Sequence, residues 1–197
     1  LDFAIANPPP TLIALTPLSI VAGSGDTTIT VVGATFVKGS KILFGATALE
    51  TTFKDDEHLE GVIPEAELAT SKSVPVTVTT PGPGGGTTSK IAFVISNPGS
   101  SITAIDPTSV LLNAADFPIK VTGTGFVAGS KIIFNGTALA TTFVSATQLT
   151  AQILAEDIAG ANTPTIRVVS PAPGGGPSND VTLTVTPDRM FQVVGDA

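Results

Sequence analysis

Cysteine, tryptophan and tyrosine are all missing from the 197 residues of this chain. Without cysteine there is no disulfide framework, no thiolate metal site and no cysteine nucleophile. A domain with a sufficient core needs no cross-links, so this absence is compatible with secretion as well as with the cytosol. Tryptophan and tyrosine are the amphipathic aromatic residues of many binding hot spots, and their absence counts against a strong sugar-binding face.

Charge and long apolar runs are also scarce. Charged residues make up 13% of the chain, the net charge is -7, and the nine Lys and Arg are scattered between Lys38 and Arg189. Phosphate backbones and anionic membranes would therefore be repelled. The longest apolar stretch, TLIALTPLSIVAG, is interrupted by Thr16, Pro17 and Ser19 and falls short of the roughly 20 residues that span a bilayer. We expect no nucleic-acid partner and no membrane insertion by this segment.

The residues that are present favour strands over helices. Hydrophobic residues form 42% of the chain, mostly Val, Ile, Leu, Ala and Phe, and Thr is abundant. Such residues suit a pleated, half-buried surface. The chain also has 20 Gly and 16 Pro, which is typical of many short strands joined by tight turns.

An internal duplication dominates the sequence. A shift of 90 positions aligns VVGATFVKGSKILFGATALETTF (31–53) with VTGTGFVAGSKIIFNGTALATTF (121–143) and PGPGGG (81–86) with PAPGGG (171–176). About a third of all positions match in this frame, which takes precedence over any local motif. In the same frame LDFAIANP at the start matches IAFVISNP at the end of the first repeat. The chain therefore opens on what we expect to be the last strand of a preceding repeat.

The repeat frame predicts four segments. Residues 1–8 are the last strand of a preceding, truncated repeat plus a linker; residues 9–96 and 97–187 are two sandwich domains; residues 188–197 form a tail in which the frame is lost. Within each repeat, apolar residues alternate with polar ones, as at Ile29 and Val31 and again at Ile119 and Val121. Six or seven such strands, spaced by about 8 to 15 residues, predict an immunoglobulin-type sandwich.

Only one segment of each repeat indicates a helical turn, PEAELAT (64–70) and its counterpart LAEDIAG. The two copies differ here because Leu154 stands where the first repeat has Pro64. The sequence therefore does not predict the backbone conformation at the end of this strand in the second repeat.

The pattern P(x15)GxxFxxGSKIxF, followed by TALxTTF and the late PxPGGG hairpin, occurs from Pro17 to Gly86 and again from Pro107 to Gly176. It resembles the IPT/TIG immunoglobulin-like domain. The resemblance implies an all-β fold, two tandem immunoglobulin-like β-sandwich domains of E-set type, and a non-catalytic module. The family occurs in cell-surface receptors, Rel-like transcription factors, accessory domains of starch-acting enzymes and bacterial surface arrays. Its aromatic plug at the end of the core implies that Phe36 and Phe126 are buried.

The segment KDDEHLE (54–60) gathers acidic residues around the only histidine. Asp55, Asp56 and Glu57 are candidate calcium ligands, but they lack the D-x-D-x-D-G spacing, and the counterpart VSATQLT has no carboxylate. We therefore favour a solvated turn with His58 pointing outward. Such a histidine is a poor general base. We expect no catalytic residue and no cofactor.

Two further motifs have ordinary turn interpretations. Asn135–Thr137 (NGT) is a glycosylation acceptor in a eukaryotic secreted protein, and it is equally an Asn-Gly hairpin turn. The turn is favoured because the first repeat has Gly45-Ala46 there. The loops PGPGGG and PAPGGG precede strands, whereas a phosphate cradle would need a helix, so we predict hairpins.

The loop AADFPIK (114–120) differs between the copies, since Phe117 replaces Thr27, and Phe117 is therefore the candidate ligand-binding residue. Two functions remain open. The first is a structural or adhesive spacer in a bacterial cell-surface or secreted multi-repeat protein, whose partners are the neighbouring repeats. The second is a module that binds a polysaccharide or protein through sandwich-end loops or strand edges, alone or beside a polysaccharide-active enzyme. Both place the protein at the bacterial envelope or outside the cell.

Overall fold

The computed structural model describes residues 5–160 and 163–187. The chain divides between Asn97 and Pro98 into two units, unit 1 and unit 2. Each unit is built almost wholly from strands in packed sheets, which confirms the predicted all-β, immunoglobulin-like sandwich class. The predicted tail at 188–197 and the first four residues of the predicted truncated strand lie outside the described residues. No helix in 5–160 or 163–187 is long and apolar enough to cross a bilayer.

Unit 1 has two sheets. Its elements are β1 (Thr11–Thr16), β2 (Ser19–Val21), β3 (Thr27–Ala34), β4 (Lys41–Phe44), β5 (Thr47–Ala48), β6 (Glu50–Phe53), β7 (His58–Ile63), a 3-10 turn (Glu65–Leu68), β8 (Lys72–Thr80), β9 (Gly86–Thr87) and β10 (Ile91–Ser96). One sheet has the order β1-β3-β7-β6, and the other has β2-β10-β8-β4-β5 with β9 added to β8. The pairing of β2 with β10 is parallel, as expected where a chain switches between the two sheets of a sandwich.

Unit 2 repeats this plan. Its elements are β11 (Ser101–Asp106), β12 (Ser109–Leu111), β13 (Phe117–Thr124), β14 (Lys131–Phe134), β15 (Thr137–Ala138), β16 (Thr141–Ser145), β17 (Gln148–Ile153), α1 (Ala155–Ile158), β18 (Thr165–Ser170), β19 (Gly176–Pro177), β20 (Val181–Thr182) and β21 (Thr184–Thr186). Its sheets are β11-β13-β17-β16, β15-β14-β18-β19 with β20 on β18, and the parallel pair β12-β21.

The last strand is continuous in unit 1 and divided at Leu183 in unit 2. In unit 1, β10 pairs Phe93 with Val74 of β8. In unit 2 the corresponding partner is Pro164, whose carbonyl accepts the Leu183 N–H at 3.0 Å. Because proline has no N–H to return a bond, the ladder is interrupted at that position.

The period-two alternation predicted from both repeats is confirmed. Ile29 and Val31 of β3 are fully buried, and so are Ile119 and Val121 of β13. The intervening residues of these strands are at least partly exposed. Each unit therefore closes its own apolar core between its two sheets.

The helical turns follow the same strand exit in both units. Pro64 has φ -70° and ψ 147°, and Leu154 has φ -88° and ψ 152°, so replacing proline leaves the extended backbone unchanged. Unlike proline, Leu154 retains an N–H, and the Asp157 carboxylate accepts it at 3.0 Å. The side chain of Asp157 thus satisfies the donor that the loss of proline exposes.

An aromatic ring packs on a glycine at one end of each core. Phe36 is 2% exposed and Phe126 is 1% exposed, which confirms the predicted burial. A side chain at Gly33 would collide with the carbonyl oxygen of Thr11 and with the Phe36 ring. Gly123 stands in the same relation to Ser101 and Phe126. Only glycine lets strand and ring approach this closely.

The two units protect their outer strand differently. In unit 1, Glu50 lies on edge strand β6, and Lys54 just after it forms an ion pair with Glu60 at 2.8 Å. Edge strand β16 of unit 2 carries no charge, and its Phe143 and Val144 are 40% and 52% exposed. A register shift between Phe143 and Ser145 interrupts the ladder there. Such a bulge limits pairing with a strand of another molecule, and it does for unit 2 what the charged residues do for unit 1.

We predict that Gly33→Ala lowers the free energy of unfolding of unit 1 by about 3 kcal/mol, because the added methyl group overpacks the contact with Phe36 and Thr11. Gly25→Ala is the matched control, since nothing lies within 4 Å of a side-chain carbon there. Urea denaturation followed by circular dichroism measures both variants. Equal stability of the two would contradict the proposed role of the glycine–ring contact.

Candidate apolar recognition site

A pocket of about 370 Å³ opens at the end of unit 2 where β11 and β12 finish and β13 begins. Pro107, Val110, Phe117 and the loop 111–114 line it. Leu111 is 55% exposed at its rim, while Phe117 is half-buried and packs against the core. We call this cavity the Phe117 pocket. Its lining is apolar apart from Asn113, and its volume lies at the low end of the roughly 300–1,000 Å³ of ligand pockets.

Backbone bonds fix the shape of the loop. The Leu112 N–H donates to the Thr186 carbonyl at 2.7 Å, next to the parallel pairing of Leu111 with Thr186. The Ala114 N–H donates to the Leu111 carbonyl at 3.1 Å. Between these bonds Asn113 takes a positive φ of 63°, which asparagine tolerates better than most residues. The loop is therefore tied at its start and turned tightly in its middle.

An aspartate ties the other end of the loop. The Asp116 carboxylate accepts the N–H of Ala155, the first residue of α1, at 2.8 Å. In unit 1 the Asp26 carboxylate accepts the N–H of Glu65 at the same distance of 2.8 Å. The tie is thus common to both units, and the loop backbone does not depend on the side chains that line the pocket.

The side chains at this end are where the units differ. Six of the seven lining positions differ between the repeats, and four of the changes alter the character of the residue: Ala22 to Leu112, Gly23 to Asn113, Ser24 to Ala114 and Thr27 to Phe117. Each of these four adds volume or removes a hydroxyl, and the resulting surface is larger and, apart from Asn113, more apolar. The sequence pointed to Phe117 alone; Leu112 was missed, although the same comparison of repeats shows its increase in size over Ala22.

In the acidic turn of unit 1, the Asp55 carboxylate has its partners within the turn. The Asp55 carboxylate accepts the Glu57 N–H at 2.9 Å and lies 2.8 Å from Nδ1 of His58. These two contacts, the Glu57 bond foremost, hold the pKa of Asp55 below its ordinary value. Asp55, Asp56 and Glu57 are exposed, and among residues 5–160 and 163–187 no three His, Asp or Glu are grouped to bind a metal.

The backbone of this turn supports the aromatic plug. The Glu57 carbonyl accepts the Gly33 N–H at 2.8 Å, and the Asp56 carbonyl accepts the Phe36 N–H at 2.9 Å. In unit 2 the carbonyls of Thr147 and Ala146 accept the corresponding bonds at 3.0 and 3.1 Å. The two units therefore share these carbonyl positions, and they also share a side-chain acceptor, because the Ser145 hydroxyl accepts the Thr147 N–H at 3.2 Å as the Asp55 carboxylate accepts that of Glu57. The negative charge itself is not shared.

The remaining motifs are turns. Asn135 and Gly136 have positive φ values of 47° and 86° and link β14 to β15 in a two-residue hairpin. The Asn135 side-chain oxygen accepts the Thr165 N–H at 2.9 Å. The loop PGPGGG joins β8 to β9 and holds Asn7, which donates from its backbone to Pro83 at 2.7 Å and accepts from Gly85 at 2.8 Å. These motifs therefore have structural roles, as predicted for the hairpins.

Comparison with a protein-family model agrees with this fold. The family model of the IPT/TIG domain matches residues 10–95 and 100–186. No curated protein matches the chain. Among solved structures, murine CEACAM1b is 12% identical with a TM-score of 0.43, over 89% of this chain and 99% of that one. A 1.5-MDa bacterial ice-binding adhesin is 19% identical with a TM-score of 0.35, over 91% and 64%.

The extracellular region of Plexin A4 is also similar, with 12% identity and a TM-score of 0.36 over 91% of this chain. The present chain spans 18% of that structure. At such identities and scores the three structures carry no argument about ligands or partners.

Away from the pocket, unit 2 has a close ion pair between β18 and the segment before β20. Arg167 donates to both carboxylate oxygens of Asp180, at 2.6 and 2.7 Å. The first repeat has Thr77 and Lys90 at these positions. The bonds hold the pKa of Asp180 below its ordinary value of 3.8. Because the folded-state pKa is lowered, the pair contributes stability above the unfolded-state pKa, and that contribution is lost as the pH falls through the folded-state pKa.

We predict that Arg167→Gln raises the pKa of Asp180 back toward 3.8 because its main hydrogen-bond donor is removed. Side-chain carboxyl NMR shifts followed against pH measure this value. Asp55 is the internal control, since its lowered pKa comes from Glu57 and His58. An unchanged Asp180 titration in the variant would show that the pair does not persist in solution.

Proposed function

Because the chain belongs to the IPT/TIG family over both units, we propose that it is a non-catalytic structural and adhesive segment. In this proposal it forms part of a bacterial cell-surface or secreted multi-repeat protein and holds other domains away from the envelope. The occurrence of the family in surface receptors and bacterial surface arrays supports this location. The net charge of -7 argues against a nucleic-acid role.

One observation carries the proposal: the features common to both units are those that build the fold. The glycine, the aromatic plug residue and the turn carbonyls of unit 1 all recur in unit 2. The aspartate that ties the loop to the helical turn recurs as well. The side chains that could bear chemistry do not recur, since Gln148 replaces His58 and 145–147 carry no acid. A spacer needs a repeated, independently cored unit and no shared chemistry.

We predict that stretching the full chain from its two ends gives two separate unfolding events. Each should release roughly 300 Å of chain, the extended length of about 85 residues. The variant Gly33→Ala is the control, because it should lower the unfolding force of one event and leave the other unchanged. A single joint event in force spectroscopy would argue against two independent spacer units.

The Phe117 pocket favours a second function, recognition of a polymer ligand. Proteins commonly bind through loops held on a rigid scaffold, and the 111–114 loop is tied in this way. The apolar lining, with Asn113 as its one polar side chain, suits a protein ligand better than a polysaccharide. In this proposal Phe117 is the main ligand-contacting residue.

We predict that peptides with bulky apolar side chains, immobilised on a surface, retain the chain, and that Phe117→Thr lowers this retention about tenfold. Fully burying a large apolar side chain is worth about that factor or more. Phe143→Thr, which removes an exposed aromatic from β16, is the matched control and should bind as the unmodified chain does.

Starch, cellulose and xylan serve as the second arm of the same assay. Retention on one of them that Phe117→Thr abolishes would assign the pocket to a polysaccharide instead. No retention dependent on Phe117 on any surface would contradict the recognition function and leave the spacer function alone.

A further inference from the structure

The chain that enters unit 1 is held by the PGPGGG hairpin (81–86). The Asn7 N–H donates to the Pro83 carbonyl at 2.7 Å, and the Asn7 carbonyl accepts the Gly85 N–H at 2.8 Å. The side-chain amide of Asn7 donates to the Pro81 carbonyl at 2.8 Å. One hairpin therefore engages the backbone donor, the backbone acceptor and the side-chain amide of a single residue.

The hairpin is shaped for this residue. An added side-chain carbon at Gly84 would collide with the Asn7 carbonyl oxygen and come within 3.0 Å of the Ala6 side chain. Gly84 and Gly85 have positive φ values of 74° and 69°, which glycine adopts at little cost. The Pro81 carbonyl needs a donor in front of it, and an ionised aspartate would present only acceptors. The hairpin therefore favours asparagine over its acidic isostere at position 7.

The entering chain contacts the two sheets of unit 1 in a fixed order. The PGPGGG hairpin joins β8 to β9 in one sheet, whereas β1 is an edge strand of the other sheet and pairs with β3. Between them Pro10 is buried, and the Pro9 carbonyl accepts the Thr35 hydroxyl at 2.7 Å. Tension applied ahead of Asn7 therefore meets the hairpin of one sheet before it meets the β1–β3 pairing of the other.

We propose that the PGPGGG hairpin is a binding site for the asparagine of the entering chain, and that this contact carries tension into unit 1. We call the three bonds between Asn7 and the hairpin the Asn7 clasp. The inference rests on the first proposed function, since it concerns a spacer that is pulled from its ends. Without the clasp, tension would act directly on edge strand β1 and break its bonds to β3 one after another. With the clasp, the sheet that contains β8 bears the load first.

The absence of cysteine from the chain allows the point of loading to be chosen. Ile5→Cys places a handle ahead of the clasp, and Ile13→Cys places one beyond it, at side chains that are 78% and 67% exposed. Gly99→Cys provides the second handle in both cases, because nothing lies within 4 Å of a side-chain carbon there. Pulling the full chain between 5 and 99 loads the clasp, whereas pulling between 13 and 99 bypasses it.

Asn7→Ala removes the side-chain bond of the clasp. At constant force applied between 5 and 99, we expect unit 1 to unfold roughly fivefold faster in this variant, the factor that one hydrogen bond contributes. Between 13 and 99 the rate should change little. Asn7→Asp, which keeps the shape of the side chain but removes its donor, should unfold at least as fast as Asn7→Ala.

Equal acceleration from both handle positions would mean that the bond merely stabilises unit 1, and it would overturn the inference. An unchanged rate from residue 5 in either variant would overturn it too.

Amide hydrogen exchange tests the clasp without force. The Gly85 N–H, which donates to Asn7, should exchange roughly fivefold faster in Asn7→Ala, because the clasp opens more often. The Thr88 N–H, which donates to the Val78 carbonyl at 2.9 Å beside the same hairpin, is the control and should exchange as before. Unchanged exchange at Gly85 would overturn the binding site. Two separate unfolding events in the full chain, with no difference between the handle positions, would overturn this inference and leave the spacer function standing.

Discussion

The contact between an aromatic ring and a bare backbone position is the constraint on which each sandwich depends. Phe36 lies on Gly33 under the carbonyl of Thr11, and the same contact recurs in unit 2. It brings the first strand, the third strand and the plug together at one end of the core. Because any side chain at the glycine would separate these parts, the contact decides whether the plug can close this end of the core.

The hydrogen bonds around this contact explain which parts of the sequence could vary after duplication. The turn between β6 and β7 receives the N–H groups of Gly33 and Phe36 through its carbonyls. Any residue supplies a carbonyl, so the side chains of this turn could become acidic in one unit and neutral in the other. The acidic cluster is thus better explained as tolerated surface variation than as a binding motif.

The same separation of backbone and side chain operates at the opposite group of loops. Asp26 and Asp116 hold their loops to the helical turn in both units. With the backbone held, the small and polar side chains of the first repeat could be replaced by Leu112 and Phe117 in the second. A structural role for the repeated fold and a recognition role for one end of unit 2 are therefore compatible in a single chain.

The strands and the core could be predicted from the sequence because apolar residues alternate with polar ones along each strand. Ile29, Val31 and their counterparts alternate with polar residues, and the duplication states each inward position twice. Of the residues that line the pocket, the sequence identified only Phe117. The contribution of Leu111 depends on its pairing with Thr186, a contact between residues far apart in sequence that no local pattern reports. The interruption at Leu183 was unpredicted for the same reason, since it follows from Pro164, just before the neighbouring strand β18.

The loop at 111–116, tied at both ends by bonds that its variable side chains do not make, resembles in principle the hypervariable loops of antibodies on their framework. Duplication supplied a second framework, on which this loop carries large apolar residues where the first copy has small ones. The exposed positions of this loop, Leu111 and Asn113, are thus natural sites for randomised libraries, whereas Leu112 and Phe117 also pack against the core.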